Sequence, residues 1–256
     1  MHILQVLILG IVEGITEFLP ISSTGHLILT AKLLAIGQSE FVKSFEISIQ
    51  LGAVLAVVVI YRDRLIGQIR IWKKLLVAFM PVALAGVPLY KLVKYHLLGN
   101  NQVVLWALFL GGLFLIFFEM LYREKREATK EIAAVSYPQA LTIGLFQVLA
   151  VIPGVSRSAA SIIGGLIVGL NRQTIVEFSF LLAVPTMLAA CAWDLLKSAQ
   201  VFKAEQFLTL GMGGIVSFAV AVAAIKFLLH FIKRHSFIPF GIYRVLVALI
   251  FWLVIK

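Results

Sequence analysis

The sequence predicts an all-α polytopic membrane protein with an inverted-topology repeat. Three observations carry that prediction: a composition too apolar for water, six apolar runs of spanning length, and two further apolar stretches interrupted by polar residues. Of 256 residues, 61% are hydrophobic and 13% charged, which leaves too little polar surface to cover a soluble domain. A spanning helix needs about 20 mostly apolar residues. Runs of that kind lie near 45–61, 75–91, 103–122, 177–195, 206–229 and 237–255. The whole chain, 1–256, reads as a single membrane domain of about ten helices.

The first element, 1–36, is apolar but broken near its middle by Pro, Ser, Gly and ionisable residues, as a re-entrant or broken helical hairpin would be. It has no Lys or Arg before its apolar run and carries Glu13 and Glu17 where a signal-peptide cleavage region would lie, so it is expected to belong to the mature fold. Three spans follow, completing a first half of about 1–122. A connector at 123–137 leads to the second broken hairpin, 138–170, and to three more spans in a second half of about 138–256.

Basic residues orient this chain. Arg62, Arg64, Arg70, Lys73 and Lys74 fall in one loop, Arg123, Lys125, Arg126 and Lys130 in the connector, and Lys233 with Arg234 in a third loop. Those loops are expected to be cytoplasmic. Residues 37–44, 91–102 and 196–205 then lie outside, with Lys43, Lys91, Lys94, Lys197 and Lys203 more sparsely placed. In this topology the first hairpin enters from outside and the second from the cytoplasm. The net charge of +10 is scattered through short loops and forms no stripe, which excludes nucleic acid and favours anionic membrane lipid as a partner. Cys191, alone in an apolar run, is a small core side chain.

Sliding the chain against itself by 134 residues sets Gln5 on Gln139, Gly10 on Gly144, Glu13 on Gln147 and Ser22 on Ser156. With a gap of three, Glu46-Ile-Ser-Ile then meets Glu177-Phe-Ser-Phe. An odd number of crossings separates the halves, so they are expected to be inserted upside down relative to each other. Such repeats place a site near the midplane, between the halves.

Ionisable groups at membrane depth usually face a cavity and mark function. Glu13 and Glu17, four residues apart, put two carboxylates on one helical face about 6 Å apart at their roots. Their mutual repulsion is relieved by a hard divalent cation such as Mg²⁺ or Ca²⁺. After Pro20 come Ser22, Ser23, Thr24, Gly25 and His26, then a new apolar helix whose first turn aims free amides at the break. The second hairpin repeats the device with Pro153, Gly154, Ser156, Arg157 and Ser158, and Arg157 adds a guanidinium suited to phosphate oxygens. Carboxylates, hydroxyls, an imidazole and a guanidinium together suit phosphate-ester chemistry. Gln50 is placed either to line the pocket or to pack between helices. Arg244 is expected to pair with an acid such as Glu46 or Glu177.

The run Glu13-Gly-Ile-Thr-Glu17-Phe-Leu-Pro-Ile-Ser-Ser23-Thr-Gly-His26 and the run Pro153-Gly-Val-Ser156-Arg157-Ser158 resemble the two signature motifs of the undecaprenyl-diphosphatase, or bacitracin-resistance, family. The likeness extends over nearly the whole chain, including Glu177-Phe-Ser-Phe-Leu-Leu-Ala-Val-Pro185 and Ser236-Phe-Ile-Pro-Phe-Gly-Ile-Tyr-Arg244. The second motif departs from the family's usual Gly-Ala-Thr continuation at Ala159, Ala160 and Ser161. The resemblance implies removal of the terminal phosphate of a C55 polyprenyl diphosphate, giving the monophosphate carrier reused in bacterial cell-wall synthesis. It also implies a divalent cation, a location in the bacterial plasma membrane and a site facing its outer side. Carried onto this sequence, it places function on Glu13, Glu17, Ser23, His26, Ser156 and Arg157. On this reading Glu17 and Glu13 hold the cation, and Thr24, Ser22, Ser156, Ser158, Arg157 and Gln50 bind the substrate. Ser23 is the nucleophile with His26 its base, or a water at the cation attacks directly. A polyprenyl-phosphate transporter or flippase is the rival, since inverted repeats with broken helices are common among transporters. Oligomeric state stays open, a homodimer included.

Overall fold

A computed structural model describes residues 1–37, 39–97, 100–124, 128–198 and 204–254. Lys125, Arg126 and Lys203, and the side chains of Lys91, Lys94 and Lys197, lie outside what it describes. In chain order the helices are α1 (Ile3–Thr16), α2 (Ser23–Leu33), α3 (Glu40–Ser48), α4 (Gln50–Ile60), α5 (Arg62–Leu65), α6 (Ile69–Leu92), α7 (Asn101–Leu121), α8 (Tyr137–Gln147), α9 (Arg157–Ile167), α10 (Arg172–Ser198), α11 (Ala204–Phe231) and α12 (Ile238–Val254). A π-helical turn, Val93–Leu97, extends α6, and a tight 3₁₀ segment, Val148–Val151, extends α8.

Among the described residues five stretches are long and apolar enough to cross a membrane: Glu40–Ile60, Ile69–Leu89, Asn101–Leu121, Arg172–Asp194 and Gln206–Phe231. They match five of the six expected runs. The first starts earlier than expected because Ser39 caps α3 by accepting from Val42 N, ahead of the apolar run. The sixth run is α12, 17 residues in the described chain, about 25 Å at 1.5 Å per residue.

Both broken hairpins form. α1 and α2 have 14 and 11 residues, and α8 and α9 have 11 each, so none reaches across about 30 Å of hydrocarbon. In the first, the chain leaves helical geometry around Pro20, which has no N–H to donate, and Ser22 takes φ 74°, a sparsely populated conformation for a residue with a side chain. In the second, Gly154 at φ 95° makes the corresponding reversal after Pro153.

The two hairpins are tied by the same pair of bonds. Gln5 Oε1 accepts from His2 N at 2.9 Å and its Nε2 donates to Leu34 O at 3.3 Å. Gln139 Oε1 accepts from Ser136 N at 2.8 Å and its Nε2 donates to Val168 O at 3.0 Å. One glutamine therefore joins the start of the inbound helix to the end of the outbound one in each hairpin.

Packing joins helices from before residue 122 to helices from after residue 137. α1 packs on α11 and α8 on α6; α4 packs on α11 and α10 on α6; α4 also meets α10, and α7 meets α12. Close backbone approach sets these seams. A Cβ at Gly10 would lie 2.9 Å from Gly213 O, and one at Gly144 would run into Ala78 O, as one at Gly52 would into Gly214 O. At one end Arg64 pairs with Glu177, Arg172 pairs with Glu119 at 2.6 Å, and Asn171 N donates to Thr129 O at 3.1 Å. These contacts bring the segments after α4, α7 and α9 together at one end of the molecule.

Gly52→Ala and Gly144→Ala are expected to lower the thermal unfolding midpoint of the detergent-purified protein, because each new methyl meets backbone that cannot move aside. Gly211→Ala, where a Cβ meets nothing within 4 Å, is expected to leave it unchanged or raise it slightly.

Candidate active site

The tips of the two hairpins meet inside the bundle. Arg157, the first residue of α9, donates through Nη2 and Nε to Glu17 Oε1 at 3.2 and 3.4 Å. Its Nη1 donates to Ser179 O on α10 at 2.9 Å. The other Glu17 oxygen, Oε2, accepts from Ser23 Oγ at 2.5 Å. One carboxylate thus joins the start of α2 to the start of α9; Glu17 and Ser23 are buried and Arg157 is partly so.

Both helix starts are prepared by a serine. Ser22 Oγ accepts from Gly25 N at 3.4 Å and Ser156 Oγ from Ala159 N at 3.2 Å. Each cap satisfies one of the free amides of the first turn. The positive dipole ends of α2 and α9 converge on the same space, which favours an anion there.

That space is a chamber of about 200 Å³, with Glu17, Ser22, Ser23 and Thr24 from the first hairpin and Gln147, Ser156 and Arg157 from the second. Gln50 and Thr186 complete its polar lining. It shares Gln50, Val82 and Ala190 with a neighbouring cavity of about 280 Å³ that carries Lys43 and Glu46. The same three residues lie on an apolar cleft of about 340 Å³ between α6 and α10, walled by Phe79, Val87, Ala189 and Trp193. A larger cavity, about 400 Å³, opens at the basic end between Arg64, Lys130 and Glu177. It contains none of the motif residues, so volume alone does not locate the chemistry.

Most of the residues singled out in the sequence gather here, and the exceptions have physical reasons. Ser158 is fully buried; its Oγ donates to Leu19 O at 2.9 Å and lies 3.1 Å from Ser156 Oγ. It ties one tip to the other and does not line the chamber. Ser161 is bonded to Ser179 Oγ at 2.7 Å and to its own helix. His26 lies on α2, yet its Nδ1 is 2.7 Å from Ser22 O and its Nε2 3.0 Å from Tyr243 Oη. The imidazole stacks on the Tyr243 ring with centroids 5.5 Å apart. The expected Ser23–His26 hydrogen bond is not the one observed: the Ser23 hydroxyl donates to the carboxylate of Glu17, and the imidazole is bonded to Tyr243 of α12.

Arg244 departs most from expectation. It is 1% exposed and meets neither Glu46 nor Glu177. It donates to carbonyls: Ala107 O at 2.9 Å, Gly154 O at 3.1 Å and Pro20 O at 3.4 Å. Pro20 and Gly154 are the turning points of the two hairpins, so one planar fork from α12 holds both. The signal for Arg244 was its place inside an apolar run. Nothing in the sequence singled out Tyr243.

The expected divalent cation can be tested against the donor set. Glu13 is fully buried, neither of its oxygens has a hydrogen-bond donor, and its charged neighbours are Glu17, Glu46 and Arg157. Unpartnered carboxylate oxygens beside a second carboxylate fit a hard cation with oxygen ligands. Among the described residues no third His, Cys, Asp or Glu joins them closely enough to complete a protein-only cage.

Comparison with known proteins places these residues in context. Residues 6–250 match the family model described as Bacitracin resistance protein BacA. The chain is 53% identical to an undecaprenyl-diphosphatase of Aquifex aeolicus over 247 residues, 96% of each chain. It is 50% identical to one from Wolinella succinogenes over 251 residues, 98% of this chain and 97% of the relative. A third, from Persephonella marina, is 48% identical over 253 residues, 99% of both.

Arg244→Met is expected to loosen both hairpin tips together. Three buried carbonyls lose a charged donor, at a cost of about 1–3 kcal/mol for each group left unsatisfied. Hydrogen exchange is the measurement: protection should fall at 17–26 and 152–160 in the same variant. Loss at only one tip would contradict the shared clamp.

Proposed function

The chain belongs to the bacitracin resistance protein BacA family, and we propose that its chemistry is carried out in the chamber where the two hairpin tips meet. The protein is a multi-pass membrane enzyme, an undecaprenyl-diphosphatase that dephosphorylates undecaprenyl diphosphate. Its relatives are named for a hydrolase, which disfavours the lipid-carrier reading.

The observation that carries the assignment of the site is the double engagement of Glu17, by Arg157 from the other hairpin and by Ser23 from its own. When the diphosphate enters, Arg157 exchanges its carboxylate partner for phosphate oxygens, which its fork suits. Glu17 is then released to act as a base. Ser23 Oγ forms a bond to the terminal phosphorus as its proton passes to Glu17 Oε2. The bond from that phosphorus to the bridging oxygen breaks, and undecaprenyl phosphate leaves. Water then attacks the seryl phosphate, its hydroxide joining the departing inorganic phosphate and its other proton going to solvent. The freed Oγ takes its proton back from Glu17. Dipole ends of α2 and α9 stabilise charge on the transferring group. His26, held by Tyr243 and the Ser22 carbonyl, fixes the first turn of α2. Mg²⁺ or Ca²⁺ held by Glu13 and Glu17 would supply further charge neutralisation for the diphosphate.

The halves, about 1–122 and 138–256, form an inverted repeat with α12 as a sixth span. The paired glutamine ties and the exchanged packing of α1 and α8 support this reading. The chamber continues toward Gly86 and Val93 on one side and Trp193 and Asp194 on the other, away from the end that gathers Arg64, Lys130 and Arg172. With basic loops cytoplasmic, the site faces the outer side of the bacterial plasma membrane. The apolar cleft between α6 and α10 suits the prenyl chain.

Phosphate release from C55 diphosphate by the detergent-purified protein tests the assignment. Glu17→Ala and Arg157→Ala are each expected to lose at least a hundredfold in turnover, in line with removal of a group acting on the transition state, and a chelator should suppress the unmodified enzyme. Full activity in Arg157→Ala would place the chemistry elsewhere. In a single turnover quenched with acid, phosphate should be found on Ser23; turnover without it, persisting in Ser23→Ala, would assign the attack to water.

A further inference from the structure

Gln147 stands at the inner end of α8, where the helix tightens into the 3₁₀ segment Val148–Val151. It is 1% exposed, it lines the chamber together with Glu17, Ser156 and Arg157, and neither its Oε1 nor its Nε2 has a hydrogen-bond partner. A buried primary amide with all its donors and acceptors unused destabilises a fold that gains nothing from it. Of the polar groups lining the same chamber, Ser156 is committed to Ala159 N, Thr186 to Leu182 O at 2.8 Å, and Arg157 to Glu17 and Ser179 O.

The position has a second property. A shift of 134 residues sets Gln147 on Glu13, so the two hairpins present the same side-chain length at equivalent points with different charge. Glu13, like Gln147, receives no hydrogen bond from an N–H or hydroxyl group, and its nearest charged side chain is Glu17. An acid at 147 would add a carboxylate to a chamber that already holds Glu17 and must admit an anionic diphosphate, and like charges at close range oppose binding. An amide offers N–H donors without that repulsion. The first hairpin thus carries the charge suited to a cation, and the second a neutral donor beside a guanidinium.

We propose that Gln147 is a further substrate-binding residue, whose amide donates to an oxygen of the diphosphate alongside Arg157. This rests on the chamber being the site of dephosphorylation. The amide holds the substrate in ground state and transition state alike, so its loss raises KM more than it lowers kcat.

Gln147→Met, nearly the same length without polar atoms, is the test. It should raise KM for C55 diphosphate about tenfold or more, the usual effect of losing a hydrogen bond to a charged group, and change kcat by less. Its thermal midpoint without substrate should be unchanged or higher, since an unsatisfied buried amide is removed. Gln147→Glu should raise KM further than Gln147→Met, and it carries the test if the methionine variant is not recovered folded. KM within twofold of the unmodified enzyme in either folded variant overturns the proposal, as does a lowered thermal midpoint with KM unchanged. Arg157→Ala assayed in parallel separates the two levels: if it stays active, the reading of the chamber fails, whereas an inactive Arg157→Ala beside a normal Gln147→Met removes only the role of the glutamine.

Discussion

The ion pair between Glu17 and Arg157 organises this molecule. An isolated charge at bilayer depth costs on the order of 3 kcal/mol or more, so neither half can keep its own tip charged in lipid. Each supplies the counter-charge of the other, and the meeting of the tips becomes a condition of folding as well as of chemistry. The pair is not closed on itself. Glu17 keeps one oxygen for Ser23, and Arg157 keeps one nitrogen for the Ser179 carbonyl. A charged ligand can therefore replace one partner without leaving the other unsatisfied.

Around this pair the protein uses polar groups in two distinct ways. Ser158 and Arg244 are consumed in construction, the first bonding one tip to the Leu19 carbonyl of the other, the second gripping carbonyls at Pro20 and Gly154. Broken helices leave unpaired carbonyls, and at Leu19, Pro20 and Gly154 these are satisfied by side chains from elsewhere in the protein. At the hairpin tips, Glu13 and Gln147 are the residues whose two polar side-chain atoms receive and give no hydrogen bond.

Much of this was legible in the sequence. The shift set Gln5 on Gln139, and these two residues make the same pair of ties in the two hairpins. Runs of apolar residues marked five spans, and charge at depth marked the chamber. What stayed hidden depends on contacts between residues far apart in the chain. Arg244 was expected to need an acid because an acid is the usual partner of a buried guanidinium; it found carbonyls because the hairpin breaks expose them. His26 and Ser23 share a helical turn, yet Tyr243, 217 residues on from His26, takes the imidazole and leaves Glu17 as the acceptor for the serine. The glutamine at 147 was visible as the counterpart of Glu13, but only its burial without partners turned a correspondence into a question about ligands.

The glycine seams bear on how the enzyme can move. Gly10 and Gly52 press backbone to backbone against α11, and Gly144 against α6, each joining an element from before residue 122 to one from after residue 137. A carrier that alternates between faces has to rock one half past its partner, and here that motion would have to prise main chains apart at several places together. The walls around the chamber are in this sense a fixed vessel, and the cleft between α6 and α10, which shares Gln50, Val82 and Ala190 with it, is an opening that needs no such separation.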